Sequence, residues 1–233
     1  MLAAAALLVG FAKTAVGGVA AISVALFAAV LPARASTGAL LPLLLVGDVV
    51  AVGTYRRHAD WATLLRLSPS VAVGVVVGAA FVARVDDTVM RRTIGIVLLA
   101  LLGIRLVQRR WARPGPGPGP GAAAFGLLAG FTTMVANSGG AVMSLYLLSA
   151  RLGVLGFLGT SAWFFFLVNL FKLPFAAGLG LVSADSLALG AVLAPAVLLG
   201  AAVGRAVIAR LDAGRFEQVV LVVTAATSLN LLR

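Results

Sequence analysis

A pattern of prolines, glycines and charged residues occurs twice in this chain, at one constant offset. Both copies read P-x4-G-x3-G-x5-R-x-D, the first over residues 69–86 and the second over residues 195–212. Gly10-Phe11 and Gly130-Phe131 precede the two copies, and each pair leads into a polar, glycine-containing interruption of an apolar run. The chain is therefore predicted to consist of two homologous halves that share a break in the apolar pattern.

The apolar runs between these markers predict a membrane protein. They are about 20 residues long, which is enough for a helix to cross a hydrocarbon core of about 30 Å. Hydrophobic residues make up 62% of the chain and charged residues only 11%, against roughly 45–50% and about 25% in soluble domains. The alternative, a very hydrophobic soluble helical core, is disfavoured because a soluble protein needs more polar surface.

Eight hydrophobic segments are predicted to be helices. The runs are too long for transmembrane strands and show no period of two, and a backbone in lipid must satisfy its own hydrogen bonds. The predicted fold is thus an all-α integral membrane protein with two homologous four-segment repeats, in which segments 1 and 5 are broken. The segments span residues 2–31, 36–55, 64–83, 89–107, 122–149, 153–172, 186–209 and 215–232.

These segments divide the chain into a first repeat at 1–108, an Arg/Pro-Gly linker at 109–121 and a second repeat at 122–233. The first membrane segment is expected to begin at the N-terminus, because no basic region precedes residues 1–12. The arginines of the loops do not decide the orientation, since they nearly balance between the two sides. Four crossings per repeat would make the repeats parallel, whereas re-entrant hairpins at segments 1 and 5 would make them inverted.

The formal net charge of +11 comes mostly from arginines between the apolar runs. In that position they act as topology anchors and contact anionic lipids, so a nucleic-acid partner is not predicted. The chain has no cysteine and a single histidine, His58, in a short charged loop. Because clustered carboxylates are also lacking, neither an enzyme nor a metal or other cofactor is predicted.

The two interrupted segments predict an anion site. Residues 2–31 would form a helix of about 45 Å, and the pair Gly17-Gly18 favours a break there. Free N–H groups at the start of the second half-helix, together with the helix dipole, attract anions. The same argument applies to the run from Asn137 through Ser138 and Gly139, so the two half-helices are expected to face each other near the midplane. The alternative is a kink in which the glycines serve packing.

Lys13 lies inside an apolar run, where a buried cation costs at least about 2.5–3.5 kcal/mol. Three interpretations stay open: contact with a substrate anion, an ion pair with Asp48, and extension of the side chain to the membrane surface. Nearby hydroxyls either donate to an oxyanion or bond to their own helix. The candidate hydroxyl residues are Thr14, Thr132, Thr133 and Ser138.

Asp48 is a carboxylate at membrane depth and is therefore a candidate proton carrier. The alternative is a structural ion pair with Lys13 or Lys172. Asn169 occupies the corresponding place in segment 6 and can form hydrogen bonds across helices. Small residues four apart, namely Gly74 with Gly78 and Gly200 with Gly204, are predicted to let helix backbones pack closely.

The chain resembles the sulfite exporter TauE/SafE family over nearly its whole length. The motifs that carry the resemblance are the run 10–18, Gly47-Asp48, the run 130–137, the run 159–162 and the run 169–174. The resemblance implies duplicated multi-pass proteins that move sulfur-containing anions such as sulfite and sulfonates. It points to Lys13, Thr14, Gly17, Gly18, Thr132, Thr133, Asn137, Ser138, Asn169 and Lys172 as site residues.

Taken together, these features predict a secondary transporter of small anions in the cell membrane. The repeats are expected to rock around a bound anion, either with a proton carried by Asp48 or driven by the membrane potential. Export suits a potential that is negative inside. The alternatives are a passive anion channel and a transporter of another small organic anion. The sequence does not indicate an oligomeric state.

Overall fold

The computed structural model describes residues 1–15, 20–90, 92, 93, 96, 121–150 and 152–208. Segment 8, Gly17, Gly18, residues 109–120 of the linker and most of segment 4 lie outside the described residues. The helices are α1 (Leu2–Thr14), α2 (Ala20–Val30), α3 (Ala33–Tyr55), α4 (Trp61–Val82), α5 (Gly121–Ala136), α6 (Gly139–Ser149), α7 (Val154–Gly178) and α8 (Ala184–Ile208). A short 3-10 helix, Arg56–His58, follows α3. Within the described residues, the prediction of an all-helical protein is confirmed.

Four of the helices are long and apolar enough to cross a membrane. They lie in Arg34–His58, Trp61–Val82, Val154–Gly178 and Ala184–Ile208. Each contains a proline, and α7 continues through Pro174 to Gly178. The predicted end of segment 6 at residue 172 is therefore wrong, because a membrane helix tolerates proline where its surroundings satisfy the freed carbonyl.

The two interrupted segments each form a pair of short helices that pack against each other. Helix α5 has 16 residues and α6 has 11, lengths of about 24 Å and 17 Å that are shorter than a hydrocarbon core. The start of α6 lies beside the middle of α5, since a Cβ added to Gly139 would be 2.9 Å from the carbonyl oxygen of Ala129. Helices α5 and α6 therefore form a hairpin, and α2 packs along α1.

The outer surface is apolar and the interior holds charges. Leu65 and Val192 are 70% and 75% exposed, whereas Asp48 is fully buried and Lys172 is 2% exposed. This distribution fits a protein whose outer side chains contact lipid and whose ionisable groups face the interior of the helix bundle. His58 is exposed, as predicted for a loop residue.

Close approaches between helices hold the two halves together. The most extensive contacts join α1 to α8 and α4 to α5. A Cβ added to Gly10 would collide with the carbonyl oxygen of Val197, and one added to Gly130 with that of Val71. The predicted packing glycines are confirmed, because each lies against the backbone or a side chain of the facing helix. These glycines are Gly74, Gly78, Gly200 and Gly204.

We expect Gly10→Ala to lower the thermal unfolding temperature of the purified protein. The new methyl group would force α1 away from the backbone of α8, and such overpacking costs about 1–3 kcal/mol. Gly53→Ala in α3 is the matched control, because nothing lies within 4 Å of its added Cβ. Alanine there replaces a weak helix former, so the unfolding temperature should stay constant or rise. Equal effects of the two changes would contradict this account.

Candidate functional site

A cavity lined by both apolar and polar side chains lies where the two helix pairs meet α3 and α7. Its volume is about 30 Å³. Ala15 and Ala20 line it on either side of the first interruption, and Asn137 and Gly140 line it at the second. A cavity of roughly 10–15 Å³ holds one water molecule, so this space is large enough for about two.

One wall carries a three-residue polar group formed by α1, α3 and α7. The Lys13 Nζ atom lies 2.6 Å from Asp48 Oδ1, and Asn169 Nδ2 donates to Asp48 Oδ2 at 2.5 Å. Lys13 Nζ also lies 4.5 Å from the centre of the Phe165 ring. The Lys13 side chain is only 8% exposed, so the interpretation that it extends to the membrane surface is wrong. It forms the ion pair with Asp48 instead.

A second polar group surrounds Lys172 on α7. Its Nζ atom donates to Asn137 Oδ1 at 2.5 Å, to the Thr133 carbonyl oxygen at 3.0 Å and to Thr133 Oγ1 at 3.3 Å. All three ammonium protons therefore point to neutral oxygen atoms. Within the described part of the chain, Lys172 has no carboxylate at ion-pair distance. Thr133 and Asn137 line the cavity, so they lie between it and the Lys172 ammonium group.

Asn137 also shapes the break between α5 and α6. Its φ angle is 52°, a left-handed conformation that asparagine tolerates better than most residues. Its Nδ2 atom donates to the carbonyl oxygen of Thr37 in α3 at 3.0 Å. No side chain caps the N-terminus of α6. Gly140 in the first turn of α6 lines the cavity, so the positive end of this helix dipole lies beside the cavity.

The charges around the cavity do not balance. Lys13 and Asp48 line the cavity and no other charged side chain does so among the described residues, while Lys172 lies behind Thr133 and Asn137. With both lysines protonated and Asp48 ionised, the three residues carry a net charge of +1 inside the helix bundle, where an unmatched charge is expensive. An anion in the cavity would remove this imbalance.

Several predicted site residues lie elsewhere. Three of the four candidate hydroxyls are bonded to backbone carbonyls and do not line the cavity: Thr14 donates to Ala201 at 2.8 Å, Thr132 to Leu128 at 2.7 Å and Ser138 to Ala136 at 3.0 Å. Gly139 packs against Thr133 at the tip of the hairpin. Of the candidates that the structure describes, the cavity brings together Lys13, Asp48, Thr133, Asn137 and Asn169, with Lys172 beside them.

The cavity-lining residues that sequence reasoning missed include Ser144, Ser161 and Phe165. Phe165 precedes Asn169 by one helical turn and Ser161 precedes it by two. Residues four apart share a helix face, so this periodicity, counted back from Asn169, would have found both.

The fold and the cavity define a class: a multi-pass helical membrane protein with buried ionisable residues around an internal cavity, the arrangement of a transport protein. The chain belongs to the sulfite exporter TauE/SafE family, whose sequence profile matches residues 2–231. The resemblance seen in the motifs is thereby confirmed, and the protein is a membrane transporter by family. Comparisons with curated proteins and with solved structures gave no significant match.

Proposed function

We propose that this protein exports small sulfur-containing anions such as sulfite or organosulfonates across the cell membrane. The observation that carries the proposal is the net charge of +1 around a cavity that is otherwise enclosed by apolar helices. Lys172 donates only to neutral oxygens, so an anion is the ligand that the site lacks for electroneutrality. The sulfur chemistry of the anion comes from the family alone.

The bound anion would take hydrogen bonds from two kinds of donor and feel one charge behind them. Thr133 Oγ1 accepts a bond from Lys172, which leaves its own proton available for the anion. The N–H groups in the first turn of α6 supply donors with a favourable helix dipole. Lys172 adds its charge from behind Thr133 and Asn137.

Alternating access follows from the proposed repeat architecture. We assign each half a hairpin followed by crossing helices, with inverted repeats at 1–108 and 122–233 around the linker at 109–121. Two observations support this assignment. The contact of Gly10 with Val197 has a counterpart in the contact of Gly130 with Val71. Asp48 and Asn169, which occupy corresponding places, bond to each other.

A membrane potential that is negative inside the cell favours the export of an anion. The potential favours exit by about 2.3 kcal/mol per charge per 100 mV. Asp48 is the candidate for proton coupling, because protonation would break its ion pair with Lys13. The alternative functions are a passive anion channel and transport of another small organic anion.

Counterflow in proteoliposomes tests the proposal. With excess unlabelled sulfite trapped inside, labelled sulfite should accumulate transiently against its gradient. Thr133→Val should reduce binding of sulfite roughly 10- to 100-fold, the value of one hydrogen bond to a charged group. Thr132→Val is the matched control and should leave transport unchanged, because Thr132 bonds to its own helix.

The outcomes separate the alternatives. A channel would conduct sulfite without counterflow accumulation. If the substrate is another organic anion, that anion should outcompete sulfite in the same vesicles. Equal transport by the Thr133 and Thr132 variants would show that the anion binds away from this cavity.

A further inference from the structure

We propose that the site selects its substrate by charge, so that a monoanion binds alone and a dianion binds together with one proton held on Asp48. This inference rests on the proposed anion site and specifies the charge state of what binds there. It predicts that sulfonates and hydrogen sulfite are carried as they are, whereas sulfite and sulfate bind with proton uptake.

The charge balance of the cavity leads to this proposal. The ion pair of Lys13 with Asp48 is internally neutral. The Lys172 Nζ atom donates to three oxygen atoms, which requires the three protons of an ammonium group, so one positive charge is left. One negative charge on the ligand cancels it. A second negative charge would be left unmatched in a buried site, at a cost of several kcal/mol. That cost disappears if the site gains one positive charge.

Asp48 is the group that can supply the change. Protonation of its carboxylate would free the Lys13 ammonium, which lies 2.6 Å away and lines the cavity. The site would then hold the two lysine cations of the chain, its only lysines. The proton comes from water and resides on a carboxyl oxygen of Asp48, and no other bond is formed or broken.

Asn169 is suited to both states of Asp48. Its Nδ2 atom donates to the carboxylate at 2.5 Å, while its Oδ1 atom is buried and has no hydrogen-bond partner among the described residues. Rotation of the amide by half a turn would present Oδ1 as the acceptor for a protonated Asp48. An asparagine can therefore pair with the carboxylate and with the carboxylic acid.

Within the described residues, the other groups that titrate around Asp48 are few. Helix α1 contributes Lys13 and α7 contributes Lys172, and α2 contributes none. On α8, Asp185 and Arg205 are exposed near the helix ends. The remaining charged groups at the end of α3 are exposed: Arg56, Arg57 and His58.

The test compares methanesulfonate with sulfate, which are both tetrahedral and differ by a methyl group in place of one charged oxygen. Both keep their charge between mildly acidic and mildly alkaline pH. Calorimetry on the full-length protein in detergent should show that sulfate binds with one proton more than methanesulfonate. The affinity for sulfate relative to that for methanesulfonate should therefore rise by up to about tenfold for each unit that the pH falls. A common slope for both anions would overturn the proposal.

Three variants locate the proton. Asp48→Asn leaves both lysines without a carboxylate, so sulfate should bind with the same pH slope as methanesulfonate. The double change Lys13→Gln with Asp48→Asn leaves Lys172 without a titrating carboxylate beside it, so it should bind methanesulfonate and reject sulfate at every pH. His58→Gln should behave like the unaltered protein. A steeper slope for sulfate than for methanesulfonate that persists without Asp48, or that depends on His58, would overturn the assignment.

The double variant keeps the test informative if Asp48→Asn alone fails to fold, because it removes both members of the ion pair. Failure of the unaltered protein to bind either anion would overturn the proposed anion site together with this inference. Binding of both anions with identical pH profiles would overturn the charge selection alone.

Discussion

Replacing Lys172 by methionine should abolish anion binding. Lys172 is a buried cation with no carboxylate at ion-pair distance among the described residues, and it lies behind the two cavity residues to which it donates. Methionine has a similar length and no charge, so the charge of the site falls from +1 to zero. Removal of one partner from a buried charge interaction costs about 2–5 kcal/mol, and the affinity should therefore fall on the order of 100-fold or more.

The measurement is the rise in unfolding temperature that the anion causes. A ligand at a hundred times its dissociation constant stabilises a protein by about 2.7 kcal/mol, and Lys172→Met should lose this stabilisation. Lys172→Arg keeps the charge and should retain part of it. Arg66→Met removes an exposed cation from α4 and should retain all of it. If Lys172→Met kept the full shift, the charge of Lys172 would have no role in binding.

Much of the fold follows from physical rules that act locally along the sequence. The limits of α4 and α8 differ from the predicted segments by at most a few residues, because hydrophobic length and turn residues determine where a membrane helix ends. The packing role of Gly200 was equally predictable, since small residues four apart are typical of close helix contacts.

The polar residues around the cavity were predicted as a set, whereas the choice between their possible pairings stayed open. Thr132 and Thr133 are adjacent in sequence, and only the rotation of about 100° per residue directs one to its own helix and the other to the cavity. Which lysine pairs with Asp48 depends on contacts between α1, α3 and α7 that no local pattern encodes. Pro174 misled the prediction for α7, because tertiary contacts within the bundle decide whether a helix continues through proline.

Replacing Asn137 by aspartate should remove anion binding, and it should lower the unfolding temperature because a carboxylate oxygen would face the Thr37 carbonyl oxygen in place of the Nδ2 donor. The backbone of Asn137 has a φ angle of 52°, which aspartate also tolerates. The new carboxylate would take the place of the amide oxygen that accepts from Lys172 at 2.5 Å. It would neutralise that lysine and bring the charge of the site to zero, so the affinity should fall on the order of 100-fold.

Asn137→Gly separates charge from geometry in this experiment. Glycine adopts the same backbone conformation without strain, and the site keeps its charge of +1. The loss of the hydrogen bonds to Lys172 and to the Thr37 carbonyl should weaken binding by roughly tenfold, the value of about one hydrogen bond. Titration calorimetry on both variants measures the difference. An equal loss in the two would mean that Asn137 acts through geometry alone, whereas a much larger loss in Asn137→Asp requires that the anion be attracted by the unmatched charge of Lys172.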